Sequence, residues 1–209
     1  MIRNMVQPLE RSDRDEAAGV LARAFRDNPG IIAALKGDSP ETRLRLLGPC
    51  MEGFVESTLR YGVAEVVKDG DRIVAVSLSF APDRFPPPFW ATVVQAKGPI
   101  RAGLYRALRF ARIDQEMRKR HPHYRHWYLW FLGAEPQMQG QGLGSKLLRS
   151  LSAKAEADGV ACYLETDKAT NVKIYERHGY VLESHDVLLP GTADLEMWFM
   201  KRPEARAAG

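Results

Sequence analysis

Leu132-Gly-Ala-Glu-Pro-Gln-Met-Gln-Gly-Gln-Gly-Leu-Gly-Ser145 is the most informative stretch of the chain. Upstream, His126 to Leu132 (HWYLWFL) is apolar on both alternating faces, as expected of a central strand covered on both sides. Downstream, Leu143, Leu147, Leu148, Leu151 and Ala155 form the apolar stripe of an amphipathic helix that closes at Asp158-Gly159. The turn between them carries Gly140, Gly142 and Gly144, which let main-chain amides approach a ligand closely. A helix N-terminus adds unpaired N–H donors and the positive end of the helix dipole, so the spacing predicts an anion site, most simply for a pyrophosphate. The alternative reading is that the glycines serve only a tight strand-to-helix turn.

Spacing narrows which nucleotide is bound. A dinucleotide fold needs Gly-x-Gly-x-x-Gly, whereas this turn is Gly-x-Gly-x-Gly, and a P-loop needs Gly-Lys-Ser/Thr, whereas Ser145 here precedes Lys146. Gly-x-Gly-x-Gly resembles the first motif of S-adenosylmethionine methyltransferases, with Glu165 as the acidic ribose partner. That fold builds a large sheet after the motif, and only 65 residues follow Gly144.

Outward from the turn, MIRNMVQPL suits a strand. Ser12 is placed to cap a helix whose Ala17, Val20, Leu21, Ala24 and Phe25 share one face and which stops at Asn28-Pro29-Gly30. A second helix follows Ser39-Pro40 through about Arg60. Val63 to Lys68 and Arg72 to Phe80, joined at Asp69-Gly70, read as a hairpin, and Pro82 to Trp90 as a loop. Leu104, Tyr105, Leu108 and Phe110 to Ile113 suggest a further helix. Beyond the central helix come a strand (Val160 to Thr166), a short helix (Asn171 to His178) closed by Gly179, and strands at Tyr180 to His185 and Leu195 to Lys201. One domain over residues 1–202, with a frayed tail at 203–209, accounts for this pattern.

Composition excludes several classes. The 209 residues are 45% hydrophobic and 27% charged, a balance that supports a buried core. No run of eighteen apolar residues and no signal-like N-terminus is present, so the expectation is a cytoplasmic protein with no membrane partner. Two cysteines, Cys50 and Cys162, form neither a disulfide framework nor a zinc pair, and the five histidines make no zinc set with them, so no metal is expected. The net charge of +4 is concentrated between Lys97 and Arg125, where nine basic residues meet only Asp114 and Glu116. Such a segment is a solvated helix face or a surface for an acidic partner.

With these residues in place, the chain resembles the GNAT superfamily of N-acetyltransferases. Gln139-Gly-Gln-Gly-Leu-Gly144 is similar to that family's Gln/Arg-x-x-Gly-x-Gly/Ala signature, between a strand and a helix as there. Asn171-Val-Lys-Ile-Tyr-Glu-Arg-His-Gly-Tyr180 is similar to its Asn-x-x-x-Tyr-x-x-x-Gly-Phe/Tyr segment. The resemblance is close over His126 to Lys201. The N-terminal half follows by element order, and His121-Pro to Leu129 resembles the puromycin N-acetyltransferase-like branch. It implies an α/β (α+β) fold with a mixed, mostly antiparallel sheet flanked by helices and splayed at an acetyl-CoA site. It also implies cofactor contacts from Leu132, Gly133, Ala134, from Gln139, Gly140, Gln141, Gly142, Leu143, Gly144 and Ser145, and from Asn171 and Tyr175.

In the chemistry this implies, Tyr175 protonates the departing thiolate and a base takes the proton of the ammonium. His126 is favoured for the base because it lies on the strand where histone acetyltransferases of the superfamily place a glutamate. A purely structural histidine is the competing reading, Glu165, Glu196 and His185 are further candidates, and Glu135 reads as a solvated turn residue. Phe85 to Trp90 and the N-terminal helices are expected to recognise the acceptor. The resulting expectation is acetyl transfer to a small-molecule amine by a monomer or homodimer. A protein lysine or N-terminal acetyltransferase, and a nucleic-acid-binding or regulatory module retaining a CoA site, are the alternatives, the latter disfavoured.

Overall fold

The computed structural model describes residues 5–35, 38–101 and 103–204. Of the expected N-terminal strand it shows β1 (Val6–Pro8), residues 1–4 lying outside the described residues, as do residues 205–209 of the expected tail. A 3-10 turn over Arg11–Asp13 precedes α1 (Arg14–Phe25), so Ser12 sits inside that turn and Asp13, not Ser12, is the N-cap. The predicted stripe holds: Ala17, Val20 and Leu21 are fully buried.

The Asn28-Pro29-Gly30 stop is followed at once by α2 (Pro29–Ala34), proline being tolerated in a first turn whose N–H groups have no helical acceptor. α3 (Pro40–Tyr61) follows Ser39-Pro40 as expected and is capped by Ser39, whose hydroxyl accepts from the Thr42 amide at 3.2 Å. The Asp69-Gly70 hairpin joins β2 (Val63–Asp69) to β3 (Arg72–Phe80). The proline-rich loop is shorter than its composition suggests, because α4 (Phe89–Arg101) begins inside it and leads to α5 (Leu104–Arg118). Then follow β4 (His126–Ala134), α6 (Leu143–Asp158), β5 (Ala161–Thr166), α7 (Ala169–Glu176), β6 (Val181–Leu188) and β7 (Leu195–Arg202).

The strands form one seven-stranded sheet in the order β1-β2-β3-β4-β5-β7-β6, in which β4 and β5 are parallel and every other pair is antiparallel. That is the mixed, mostly antiparallel sheet the sequence implied. α1 and α3 cover one face, packing Leu21, Leu47, Met51 and Val55 on Val66, Ile73, Val76 and Leu78. α6 covers the other, setting Leu147 against Val74 and Ala75, and Leu148 and Leu151 against Trp127, Leu129 and Leu164. Each such leucine contributes about 2 kcal/mol by leaving water. Among the described residues no helix is long and apolar enough to cross a membrane.

Candidate active site

The parallel pairing of β4 with β5 runs from His126↔Ala161 to Leu129↔Leu164 and stops there. Both strands continue, β4 to Ala134 and β5 to Thr166, so the sheet is split open at its centre. A bulge against β3 coincides with the split: Leu78 faces Phe131 and Ser79 faces Leu129, leaving Trp130 as the extra residue. A bulge bends its strand and re-aims side chains, which here turns the end of β4 away from β5.

Hydrogen-bond alternation then fixes which β4 groups face the gap. Glu135 donates its amide to the Val74 carbonyl at 2.9 Å. Bonded pairs alternate along an antiparallel ladder, so Gly133 bonds β3 at Val76, and the N–H and C=O of Leu132 and Ala134 point to the open side. The Gln139 side chain reaches one of these groups, donating to the Ala134 carbonyl at 3.2 Å. Gly133 serves by its lack of a side chain: a Cβ there would lie 2.9 Å from the Ala24 Cβ, so α1 could not approach the strand. Glu135, expected in solvent, is instead buried and ion-paired with Arg23, because the turn folds back over α1.

The glycine turn has the geometry of an anion site. Gly140 and Gly142 have φ of +80° and +77°, and Gly142 is the N-cap of α6 with no side-chain cap. The first helical bond is donated by Lys146 to Gly142 at 3.2 Å, and among the described residues the amides of Gly142, Leu143, Gly144 and Ser145 donate to no protein acceptor. Four consecutive donors, all belonging to residues on the cavity wall, are thus left for a ligand such as a diphosphate. The Ser145 hydroxyl itself is held by His178 Nε2 at 2.9 Å, so only its amide is available.

Across the gap, α7 presents Asn171 and Tyr175, one turn apart and both on the cavity wall. Asn171 is steered by its Nδ2 donating to Thr166 Oγ1 at 3.0 Å. Tyr175 is 8% exposed, and burial, with Asp167 nearby, pushes its phenol well above the usual value, so it is fully protonated at neutral pH.

One cavity of about 950 Å³ connects the glycine turn and Tyr175 to a second chamber walled by Phe25, Phe54, Phe85 and Trp130 and roofed by α4 and α5. Of the aromatic residues expected to face the acceptor, only Phe85 does so. Phe89 and Trp90 begin α4 and are 73% and 71% exposed, since their helix turns that end outward. The polar side chains of this chamber include Gln95, Asp114 with its ion-pair partner Arg118, His121 and Glu165. His126 is buried one imidazole behind the wall, its Nδ1 on the Tyr124 carbonyl at 2.6 Å and its Nε2 at 3.2 Å from His121 Nε2. Burial lowers its pKa and keeps it neutral. Glu196 and His185 pair at 3.7 Å on the outer strands, away from the cavity. His121 was not weighed as a base from sequence, although its place after a helix and beside a proline put it where a loop returns to the sheet.

Residues 66–180, from the second strand to the end of the Asn-to-Tyr segment, match the acetyltransferase (GNAT) family. The chain belongs to the GNAT family. This GNAT chain is an acetyltransferase, a family that uses acetyl-CoA as cosubstrate. It is 25% identical over 193 residues to an uncharacterized N-acetyltransferase of Schizosaccharomyces pombe, covering 84% of this chain and 73% of that one. A Corynebacterium glutamicum structure described as histone acetyltransferase HPA2 and related acetyltransferase superposes with a TM-score of 0.71 at 24% identity over 98% of both chains. Arylalkylamine N-acetyltransferase 2 of Aedes aegypti superposes with a TM-score of 0.59 at 13% identity, over 95% of this GNAT chain and 97% of that one. Polyamine N-acetyltransferase of Drosophila melanogaster gives 0.56 at 14%, over 95% and 99%.

Proposed function

We propose that the protein moves the acetyl group of acetyl-CoA to a primary amine of a small molecule, by direct attack with both substrates bound. The observation that carries this reading is the continuity of the cavity. Free amides stand at one end, a protonated tyrosine lines the cavity, and an aromatic chamber carrying Asp114, Arg118, His121 and Glu165 lies at the other. Amides from Gln139 to Ser145 hold the diphosphate, and the outward groups of Leu132 and Ala134 take the pantetheine arm as an added strand would. Asn171 steadies that arm. Bound acetyl-CoA supplies an activated acyl carbon on a thiol leaving group. Tyr175 Oη gives the sulfur its proton, because a phenol donates readily to a thiolate that is poorly solvated in the gap. His126 acts on the acceptor side as a positioning group, being one ring removed from the cavity.

The acceptor chamber favours a small molecule because α4, α5 and Phe85 close over it, and its walls are aromatic with a few charged groups at one corner. Two of the neighbouring folds are named for small amines. The basic segment gives little support to a nucleic-acid surface. Arg106 pairs with Asp38, Arg118 with Asp114, Arg120 with Asp186 and Arg125 with Asp83, so much of its charge is matched within the protein. CoA release measured with 2-phenylethylamine, spermidine and a lysine-bearing peptide tests the reading. Turnover of the small amines supports it, and turnover of the peptide alone replaces it with the protein acetyltransferase reading.

A further inference from the structure

We propose that His121 is the base that takes the ammonium proton, at Nδ1, and that His126 fixes the tautomer which leaves that nitrogen free. The inference rests on acetyl transfer occurring at the split between β4 and β5. It follows from three contacts read in order.

A carbonyl can only accept, so the 2.6 Å contact between His126 Nδ1 and the Tyr124 oxygen requires the proton on Nδ1. In the neutral ring Nε2 then bears a lone pair. The 3.2 Å contact from His126 Nε2 to His121 Nε2 must therefore be a hydrogen bond in which His121 Nε2 donates. Neutral His121 is left with a lone pair at Nδ1. That atom lies 3.7 Å from Glu165 Oε1, and the Glu165 side chain is 4% exposed. Once Nδ1 gains a proton, the new imidazolium faces a carboxylate screened little by water, and the pair stabilises it.

Position supports the assignment. Glu165 is the first β5 residue beyond the last paired residue, Leu164, so the dyad stands at the apex of the split. His121 and Glu165 both line the cavity. The other groups around His121 do not compete for the proton at neutral pH. Tyr128 and Tyr163 pack edge-on against its ring at 4.8 and 5.3 Å, and burial raises both phenols. Phe85 lies at 4.7 Å with the Arg118 guanidinium on its face, and Asp114 on α5 pairs with Arg118.

The proton and bond accounting closes. The ammonium loses one proton to His121 Nδ1, and the freed lone pair forms the nitrogen–carbon bond at the thioester carbonyl. The carbon–sulfur bond breaks and the sulfur takes the Tyr175 proton. The second nitrogen proton passes to solvent as the amide forms, the tyrosine regains one from solvent, and His121 releases its proton to solvent to reset the site. The products are the N-acetylated amine, CoA thiol and one proton from the original ammonium.

The test has two arms. Imidazole ¹⁵N spectra of the folded protein should show His126 as the Nδ1–H tautomer and His121 as the Nε2–H tautomer, with the latter lost in His126→Phe. His121 protonated on Nδ1 in the neutral wild type would overturn the proposal without any substrate. In the second arm, the fastest of 2-phenylethylamine, spermidine and the lysine peptide is carried through the variants. His121→Ala should lower kcat/KM by about 100-fold or more, the usual worth of a positioned base, with unchanged acetyl-CoA affinity. Glu165→Gln should move the low-pH limb of kcat/KM to lower pH, because the imidazolium loses its counter-ion. A wild-type kcat/KM in folded His121→Ala, or an unmoved limb in Glu165→Gln, overturns the role. Absence of CoA release from the wild type with every acceptor would instead sink the acceptor reading beneath it, a separate result from the tautomer spectra.

Discussion

Leu129 and Leu164 are the last residues at which β4 and β5 lie in register, and everything the site needs is arranged around the point where they part. Below that point the two strands share a parallel ladder. Above it, Leu132 and Ala134 turn their main-chain groups into the gap, Glu165 lines it from the other strand, and the glycine turn and α7 stand on its rim. A split of this kind is costly in isolated backbone, since each buried unpaired amide or carbonyl forfeits about 1–3 kcal/mol. An extended ligand that pairs with it recovers that cost.

Tyr175→Phe separates chemistry from binding. The Tyr175 hydroxyl has no protein partner among the described residues, so its removal leaves the fold intact. The expected outcome is a fall in kcat of about 100-fold or more with acetyl-CoA affinity unchanged, measured by steady-state kinetics and calorimetry. Wild-type turnover would remove Tyr175 as the acid.

Gly133→Ala tests the packing that supports the gap. The added methyl would meet the Ala24 Cβ at 2.9 Å and a Leu21 methyl at 3.1 Å, both on a helix held by the core. Overpacking of this kind costs about 1–3 kcal/mol, so the denaturation midpoint should fall, with the slope unchanged. An unchanged midpoint would mean that α1 is free to move away from β4.

Stability should depend on pH through His126, which is buried, and His178, which is half-buried. Burial lowers the pKa of His126 and of His178 below the ordinary 6.5. Between that value and each lowered one the unfolded chain binds more protons than the folded chain, so stability falls as the pH drops below about 6.5. Well above 6.5, where both states are neutral at these residues, they add no slope. Urea unfolding between pH 7.5 and 5, repeated in His126→Gln, should show a shallower decline in the variant, and an identical decline would exclude His126 as a contributor.

Much of this architecture was legible because periodicity and turn chemistry agreed. The 3.6-residue stripe of α6, the Asp69-Gly70 hairpin and the doubly apolar β4 each had one reading, and the glycine spacing marked the turn that leads into the uncapped start of α6. What stayed hidden came from tertiary contact. The sequence around Glu135 reads as a polar turn, and only its approach to Arg23 makes it a buried ion pair. Phe89 and Trp90 follow three prolines, so the start of α4 there carried no signal of its own. His126 and His121 are five residues apart with a chain reversal between them, and which ring reaches the cavity is decided by that reversal, not by strand periodicity.

Titration calorimetry with acetyl-CoA on the wild type and on Gly142→Val tests whether the amides at the start of α6 hold the diphosphate. A valine at φ +77° is strained and displaces the amides at the start of α6, while its Cβ meets no protein atom within 4 Å. The wild type should bind one equivalent of acetyl-CoA per chain with the variant, still folded, weakened at least tenfold. Equal affinity in the two proteins, or no heat with the folded wild type, would contradict a diphosphate held by those amides.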